Sequence, residues 1–450
     1  MEKMKTVWRS FAQATPFILS NTLIIVPYLL YIHLIDSSKS ASVLPFVLFY
    51  TFRMTGVFLI RSFERSIEKY TLLIVALLLG GIGSLLSLLG AVAFPFFLVG
   101  SIFLGLSASL FPPANVSVNY FERAQGSKIA GGKTYLFGLL LLVPLFFGLS
   151  LPIKDQLVIV SGLYTLYFVF AYATIRRYPH YELDFKDLSK NVFSTKELVW
   201  FGLFFVAIFL LRSGRLLFNE VYLNAAILVF SLIFVLSVYW VKVKKRTWRL
   251  PLWVNTLTFY NGMIGNFLIL FGTFYVAVVY GKDNLSLYLF LPYSLGLIGA
   301  MLFGGVLRKK AENPLKIQLL GMGLGLVLLF YQPAFPLAIG VLSFFKSSVG
   351  SWLNGWYYQQ ESIETEQRII AKYATSNKGS IAHQFVLMVF LLLVLRYAHF
   401  PANELFVLPN LYQSNQALIE VMNIVKNGSS IFLLIWLAVI GRMGRHAFDH

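Results

Sequence analysis

Lys346 has the clearest chemical potential in this chain. It sits mid-way along an apolar run, with Ser343, Ser347, Gly350, Ser351 and Asn354 around it. Spacings of three and four put these residues on one helix face. A charge inside a bilayer is costly and normally faces a cavity or a partner, so a cation among small hydroxyl and amide residues reads as the lining of a binding cavity. The competing reading is helix packing, because small polar residues also join membrane helices. A second stripe holds Asn255, Thr258, Asn261, Gly262, Gly265 and Asn266, and a third holds Ser101, Gly105, Pro112, Asn115 and Asn119. Arg53 lies deep in another apolar run, either as an anion-binding or gating cation or as a structural Arg capping helix carbonyls. No Asp or Glu falls near the middle of any such run; Glu197, Glu220 and Glu420 lie near ends. With Arg53 and Lys346 as the deep charges, the lining is expected to be electropositive. That suits an anionic, phosphate-bearing or amphipathic solute.

Two further clusters bear on ion coupling. Glu420, Asn423, Lys426, Asn427 and Ser430 form either an ion path or a wet helix entrance with a Glu–Lys network. His383, beside Gln384, falls near the start of an apolar run; it is either a proton carrier, since imidazole titrates near neutral pH, or a hydrated interface residue. Enzyme constellations do not assemble. There is no Gly-x-Ser-x-Gly, no Gly-Lys-Ser/Thr phosphate loop and no His-Glu-x-x-His pair. Gly131-Gly132-Lys133-Thr134 lacks the upstream glycine of a phosphate loop, and the chain has no cysteine. No cofactor or metal is expected.

The elements that position these residues follow from composition. Of 450 residues, 58% are hydrophobic and only 12% charged, against about 25% charged in soluble domains. Runs of about 20 apolar residues are spanning helices, and open sheets cannot cross lipid. Fourteen spans are expected: 10–32, 42–60, 70–89, 91–113, 134–152, 156–175, 197–217, 219–241, 252–280, 284–307, 315–331, 334–357, 380–398 and 417–441. The N-terminal basic stretch leads into a retained first helix. With the N-terminus inside, 28 of the 37 Lys and Arg fall in inside segments, six outside, Arg212 among them, and three within spans. Retained cytoplasmic Lys and Arg set orientation, so both termini are expected in the cytoplasm. The same rule accounts for most of the net charge of +18. These charges are scattered in short loops and do not form a nucleic-acid patch.

The chain also repeats itself at an offset of 241 residues: Ala93-Phe94-Pro95 matches Ala334-Phe335-Pro336, and Leu79-Gly80 matches Leu320-Gly321. Parallel six-helix repeats are one way to build a transporter, with the substrate site at their interface. A basic, glycine-rich string follows the second span of each half. It reads Gly304-Gly305-Val306-Leu307-Arg308-Lys309-Lys310, then Lys316, in the second, and Gly56 to Arg61, then Glu64, Arg65, Glu68 and Lys69, in the first. On this layout and these strings the chain resembles the major facilitator superfamily in its fourteen-helix, six-plus-two-plus-six form. The Asp-Arg-x-Gly core of that family's loop motif is missing. So are the Gly-Pro pattern of its drug–proton antiporters in the fifth span and the Glu-x-x-Glu-Arg string of its proton–peptide symporters in the first. The resemblance implies a cavity lined by the first, fourth, seventh and tenth helices of the two bundles, where the polar stripes mainly fall. It also implies that the loop residues Gly304, Arg308, Lys309, Arg61 and Arg65 govern conformational change.

The expected fold is therefore an all-α polytopic membrane protein: two six-helix bundles related by a pseudo-twofold repeat, plus two extra linking transmembrane helices. The domains would be 1–178, 179–250 and 251–450. The expected function is secondary transport by alternating access, with Lys346, Arg53, Asn261, Asn255, Ser347, Asn354 and Asn115 holding the solute and His383, Glu420 and Lys426 coupling an ion. One alternative is a flippase for lipid-linked oligosaccharides, whose extra helix pair would follow the second bundle. Another is a membrane-embedded transferase, for which Glu361, Glu364 and Glu366 are the best acidic cluster. The expected partners are a small-molecule or lipid substrate and the bilayer, and the expected location is a bacterial inner membrane. Oligomeric state is not legible.

Overall fold

The computed structural model describes residues 2–35, 40–63, 66–127, 129, 132–186, 194–216, 221–222, 225–226, 228–233, 236, 250–281, 284–310, 312–400 and 416–444. Every regular element among them is a helix. In chain order these are α1 (Glu2–Thr22), α2 (Val26–His33), α3 (Leu44–Arg61), α4 (Lys69–Leu89), α5 (Pro95–Ala124), α6 (Gly132–Leu149), α7 (Ile153–Ile175) and α8 (Thr195–Leu216). Then come α9 (Leu252–Val279), α10 (Leu291–Lys310), α11 (Pro314–Leu328), α12 (Phe335–Tyr358), α13 (Thr365–Tyr397) and α14 (Gln416–Met443). Among the described residues nine helices are long and apolar enough to cross a membrane, or ten if the pair α1 and α2, bent by 59°, is one span. α6 and α11 carry shorter apolar stretches, Thr134–Leu149 and Pro314–Leu328. The chain is a multi-pass integral membrane protein. Much of the expected 219–241 span lies outside the described residues, so fourteen spans remains an expectation.

Two boundaries differ most from the sequence expectation. α5 continues through Pro112 and Pro113 to Ala124, because neighbouring helices can absorb a proline within a membrane helix. α13 begins at Thr365, not 380; hydropathy reports only the lipid-embedded part of a helix, and the polar turns before it are helical too. Arg368, Lys372 and Lys378, expected in a loop, therefore lie on α13, where Lys372 is buried. Arg212, expected outside, is buried on α8 with 1% of its surface exposed.

The helices group into two compact units, residues 1–239 with 363–373, and residues 240–362 with 374–450. α8 joins the first unit, as do the opening turns of α13. In the first unit α4 and α5 cross at Gly83 and Gly100. A Cβ on Gly83 would stand 2.8 Å from the Leu104 nitrogen, and one on Gly100 would stand 2.9 Å from the Gly83 carbonyl oxygen. Only residues without a side chain allow this approach, which is how membrane helices gain contact where lipid offers no hydrophobic drive. The other side of α4 shows Leu78, Ile82, Leu85 and Leu89 exposed at helical spacing, a face suited to lipid. In the second unit α12 packs with α9, α10 and α11, and α14 with α9 and α11. The repeat is visible here: Pro95 opens α5, and Pro336, 241 residues later, lies in the first turn of α12.

α9 is not uniform. Leu252–Asn266 and Gly272–Val279 are α-helical, and Phe267–Phe271 between them is a π-turn. Such turns re-phase a helix and recur at functional sites.

Candidate functional site

The α9–α12 face gathers the polar residues of the second unit. Gly265 lies against Lys346: a Cβ at Gly265 would be 3.4 Å from Lys346 Cε and 3.6 Å from Nζ. One turn further along α12, Gly350 lies against Asn261, with 3.4 Å from its Cβ position to Asn261 Nδ2. At the far end the Tyr357 hydroxyl donates to Asn255 Oδ1 at 3.4 Å. The two glycines, one on each helix, make the room that the amide and the ammonium occupy. From Lys346 to Asn354 this face runs about 12 Å at 1.5 Å per residue.

The face is chemically incomplete. Lys346 is half-buried, and its ammonium makes no hydrogen bond or ion pair among the described residues. Asn261 Oδ1 and Asn354 Oδ1 are buried without a hydrogen-bond partner. A buried amide oxygen without a partner costs about 1–3 kcal/mol, so these oxygens favour a donor brought by a ligand or by water. Ser347 is half-buried beside Lys346, and its carbonyl accepts from the Ser351 hydroxyl at 3.1 Å.

His383 lies next to this face, not at a helix end. It is 1% exposed, and its Nδ1 stands 3.0 Å from Asn266 Nδ2. The expected hydrated interface position is corrected: α13 starts fifteen residues earlier than hydropathy indicated, which carries His383 into the interior. The expected Glu420–Lys426 network does not form. Glu420 is exposed, whereas Lys426 is 1% exposed and donates to the Tyr275 hydroxyl at 3.3 Å and to Asn423 Oδ1 at 3.1 Å. Six residues along a helix rotate by about 240°, so the two side chains leave different faces. Tyr275 also donates to Asn423 Oδ1 at 2.8 Å, and Asn423 Nδ2 to Gln332 Oε1 at 3.3 Å. No carboxylate joins this group among the described residues. Lys426→Met is therefore expected to leave melting stability unchanged or to raise it by about 1 kcal/mol, as apolar replacements of buried ions often do. A loss of more than about 2 kcal/mol in detergent melts would show that the charge is compensated after all.

In the first unit Asn115 Nδ2 donates to Ser20 Oγ at 2.7 Å, joining α5 to α1. Arg53 lies over the Tyr50 ring, 5.5 Å from its centroid. Of the loop motif, Gly304 packs near Ser348, 3.2 Å from its Cβ position to Oγ, and Arg61 is half-buried at the end of α3. Arg65 and the side chains of Arg308 and Lys309 lie outside the described residues. Glu364 accepts from the Ser66 hydroxyl and Glu366 opens α13, so the acidic cluster serves the start of a helix.

Sequence reasoning passed over Glu122, which is fully buried near the end of α5. Its carboxylate accepts from the Tyr70 hydroxyl, from the His180 backbone N–H at 3.2 Å, and faces His180 Nδ1 at 3.0 Å. Burial, and then the Glu122 charge, push the neighbouring Tyr178 phenol up, so it stays neutral. A carboxylate just beyond Pro112-Pro113 would have been the signal, had the helix been carried past the prolines.

No family model matches the chain, and no curated protein does. Solved structures do. Tetrameric PepTSo2 superposes with a TM-score of 0.56 at 12% identity, covering 98% of each chain. The peptide transporter POT in complex with sulfate gives 0.54 at 14%, covering 98% of this chain and 95% of that one. A bacterial homologue of the human drug peptide transporters PepT1 and PepT2 gives 0.54 at 10%, covering 98% and 99%. The chain shares its fold with these peptide transporters. The polar face described above lies on α9 and α12, the helices the sequence reading counted as seventh and tenth of the two bundles. Similarity at 10–14% identity carries the fold and leaves the solute to the chain's own residues.

Proposed function

We propose that this protein is a secondary transporter that moves an anionic solute by alternating access, with Lys346 as the residue that holds the negative charge. The observation that carries this reading is the unpartnered Lys346 ammonium beside Gly265, on a face that also leaves Asn261 and Asn354 amides open. An ammonium on a face that also carries two open amide oxygens, at Asn261 and, about 12 Å along α12, at Asn354, suits a negative group on a solute that also bears hydroxyl or amine functions. The ligand is thus a hydrogen-bonding anion and not a bare hydrocarbon tail. The first span contains no acidic residue between Phe11 and His33, so we do not carry over proton-driven peptide uptake from the fold's peptide transporters. The orientation with both termini in the cytoplasm rests on the loop charges, and the choice of a bacterial inner membrane rests on compactness and the resemblance alone.

A ligand that binds the native state raises its stability by mass action. Purified wild type and Lys346→Ala are to be melted with a panel of anionic, neutral and cationic solutes, and the active solutes followed into proteoliposomes. Anionic solutes are expected to stabilise wild type. Lys346→Ala is expected to weaken their binding about 10–100-fold, the worth of a charge-assisted hydrogen bond. Stabilisation by cations alone, or a panel in which every anion stabilises both proteins equally, would refute the assignment.

A further inference from the structure

The first unit carries a second cationic group whose charge nothing among the described residues balances. Arg212 on α8 is 1% exposed, and Nε, Nη1 and Nη2 are all buried without a hydrogen-bond partner. Its guanidinium lies 3.6 Å from the centroid of the Tyr50 ring and 5.7 Å from that of Phe46. Arg53 stands over the same Tyr50 ring at 5.5 Å. Two cations thus flank one ring, inside a nest of buried aromatics that includes Tyr28 and Phe46. Next to Arg212, Ser213 Oγ is also buried and unpaired.

Arginine cannot relieve such burial by losing its proton. The ring face of Tyr50 offsets part of the charge but accepts nothing from the N–H groups that lie in the guanidinium plane. Those edges match the paired oxygens of a carboxylate or a phosphate. The contact between α8 and α3 includes two ring pairs, Phe204 with Phe58 at 4.9 Å and Phe205 with Phe52 at 5.0 Å. These pairs run antiparallel, and Phe46 and Tyr50 lie within about two turns of the start of α3.

We propose that Arg212, stacked on Tyr50 and supported by Arg53, is an anion site between α3 and α8 that takes a phosphate or carboxylate group. It is separate from the Lys346 face, which lies in the other unit. The anion is the headgroup of an acidic lipid or a small anion from solution, and the test distinguishes them.

The full-length protein in neutral detergent is melted during titration with phosphatidylglycerol, phosphatidylcholine or inorganic phosphate, and bound lipid is counted by native mass spectrometry. The variants are Arg212→Met, Lys346→Ala and Glu220→Gln. Phosphatidylglycerol or phosphate is expected to raise the wild-type melting temperature, whereas phosphatidylcholine should not. Response to the lipid alone assigns a headgroup site, and response to phosphate assigns a solution anion. Arg212→Met is expected to melt at or above the anion-free wild type and to lose the whole anion-induced shift, because an apolar chain removes the unbalanced charge. Lys346→Ala is expected to keep the shift, so failure of the transport reading and failure of this one are separable. An unchanged shift in Arg212→Met, or no shift in wild type, overturns the proposal. So does Glu220→Gln destabilising the anion-free protein while Arg212→Met does the same, since Arg212 would then be paired within the chain.

Discussion

Gly262→Ala is expected to prevent the second unit from reaching its native packing. α9 and α13 meet backbone to backbone at this point. A Cβ on Gly262 falls on the Ser376 carbonyl, and a Cβ on Gly379 falls on the backbone of Phe259. The obstructing atoms are main chain, so no rotamer change relieves the clash and the helices must separate. Inserting one carbon into a packed core costs about 1–3 kcal/mol, and occasionally more; two rigid backbones place this case at the upper end. Separation would also shift Asn255, Asn261 and Gly265, which share α9, so ligand stabilisation should fall together with folding. Gly379→Ala is expected to behave alike. Gly162→Ala is the control: no atom lies within 4 Å of its Cβ position, and a helical Gly to Ala change there gains up to about 1 kcal/mol. Size-exclusion profiles and melts of the detergent-extracted variants read the difference. A Gly262→Ala protein that melts like wild type would mean that α9 and α13 do not cross here.

Glu122→Ala carries the second large effect. Removing the carboxylate leaves the Tyr70 hydroxyl and the His180 backbone N–H without their acceptor, one inside the first unit and one where the chain leaves α7. Each buried donor left unmade costs about 1–3 kcal/mol, so a loss of about 2–4 kcal/mol is expected. Glu122→Gln keeps an acceptor oxygen and should recover roughly half of that. His180 is partly exposed, and its ring contact is worth less because solvent screens it. His180→Ala is therefore expected to be milder than Glu122→Ala, and the ranking can be read from thermal melts of the four proteins. Equal stability of Glu122→Ala and wild type would show that the carboxylate is not what ties the segment after α7 to α4 and α5.

Several features were legible because they depend on local spacing. Apolar runs longer than a bilayer is thick, polar residues every three or four positions on α9 and α12, and the Ala-Phe-Pro repeat all lie within one helix or one offset. They led to the membrane class and to the polar faces, and the repeat led to the expected two-bundle layout. The helix ends were less legible. Thr365 to Asn377 is polar yet helical, and Pro112-Pro113 is helical despite its prolines, because neighbours and not propensity decide there. His383 and Glu122 were misplaced or passed over for that reason alone.

The sequence by itself determined which residues share a helix face, because that is fixed by 3.6 residues per turn. Only the tertiary structure decided what each face meets. It joined Lys426 to Tyr275 instead of Glu420, set Asn266 beside His383, and stacked Arg212, counted among the outside charges, on Tyr50. The physical reason is that a residue's partner is chosen by where helices cross, and crossings are set by the glycines that let two backbones touch. That pairing of distant positions, such as Gly262 with Ser376, has no signature within either segment.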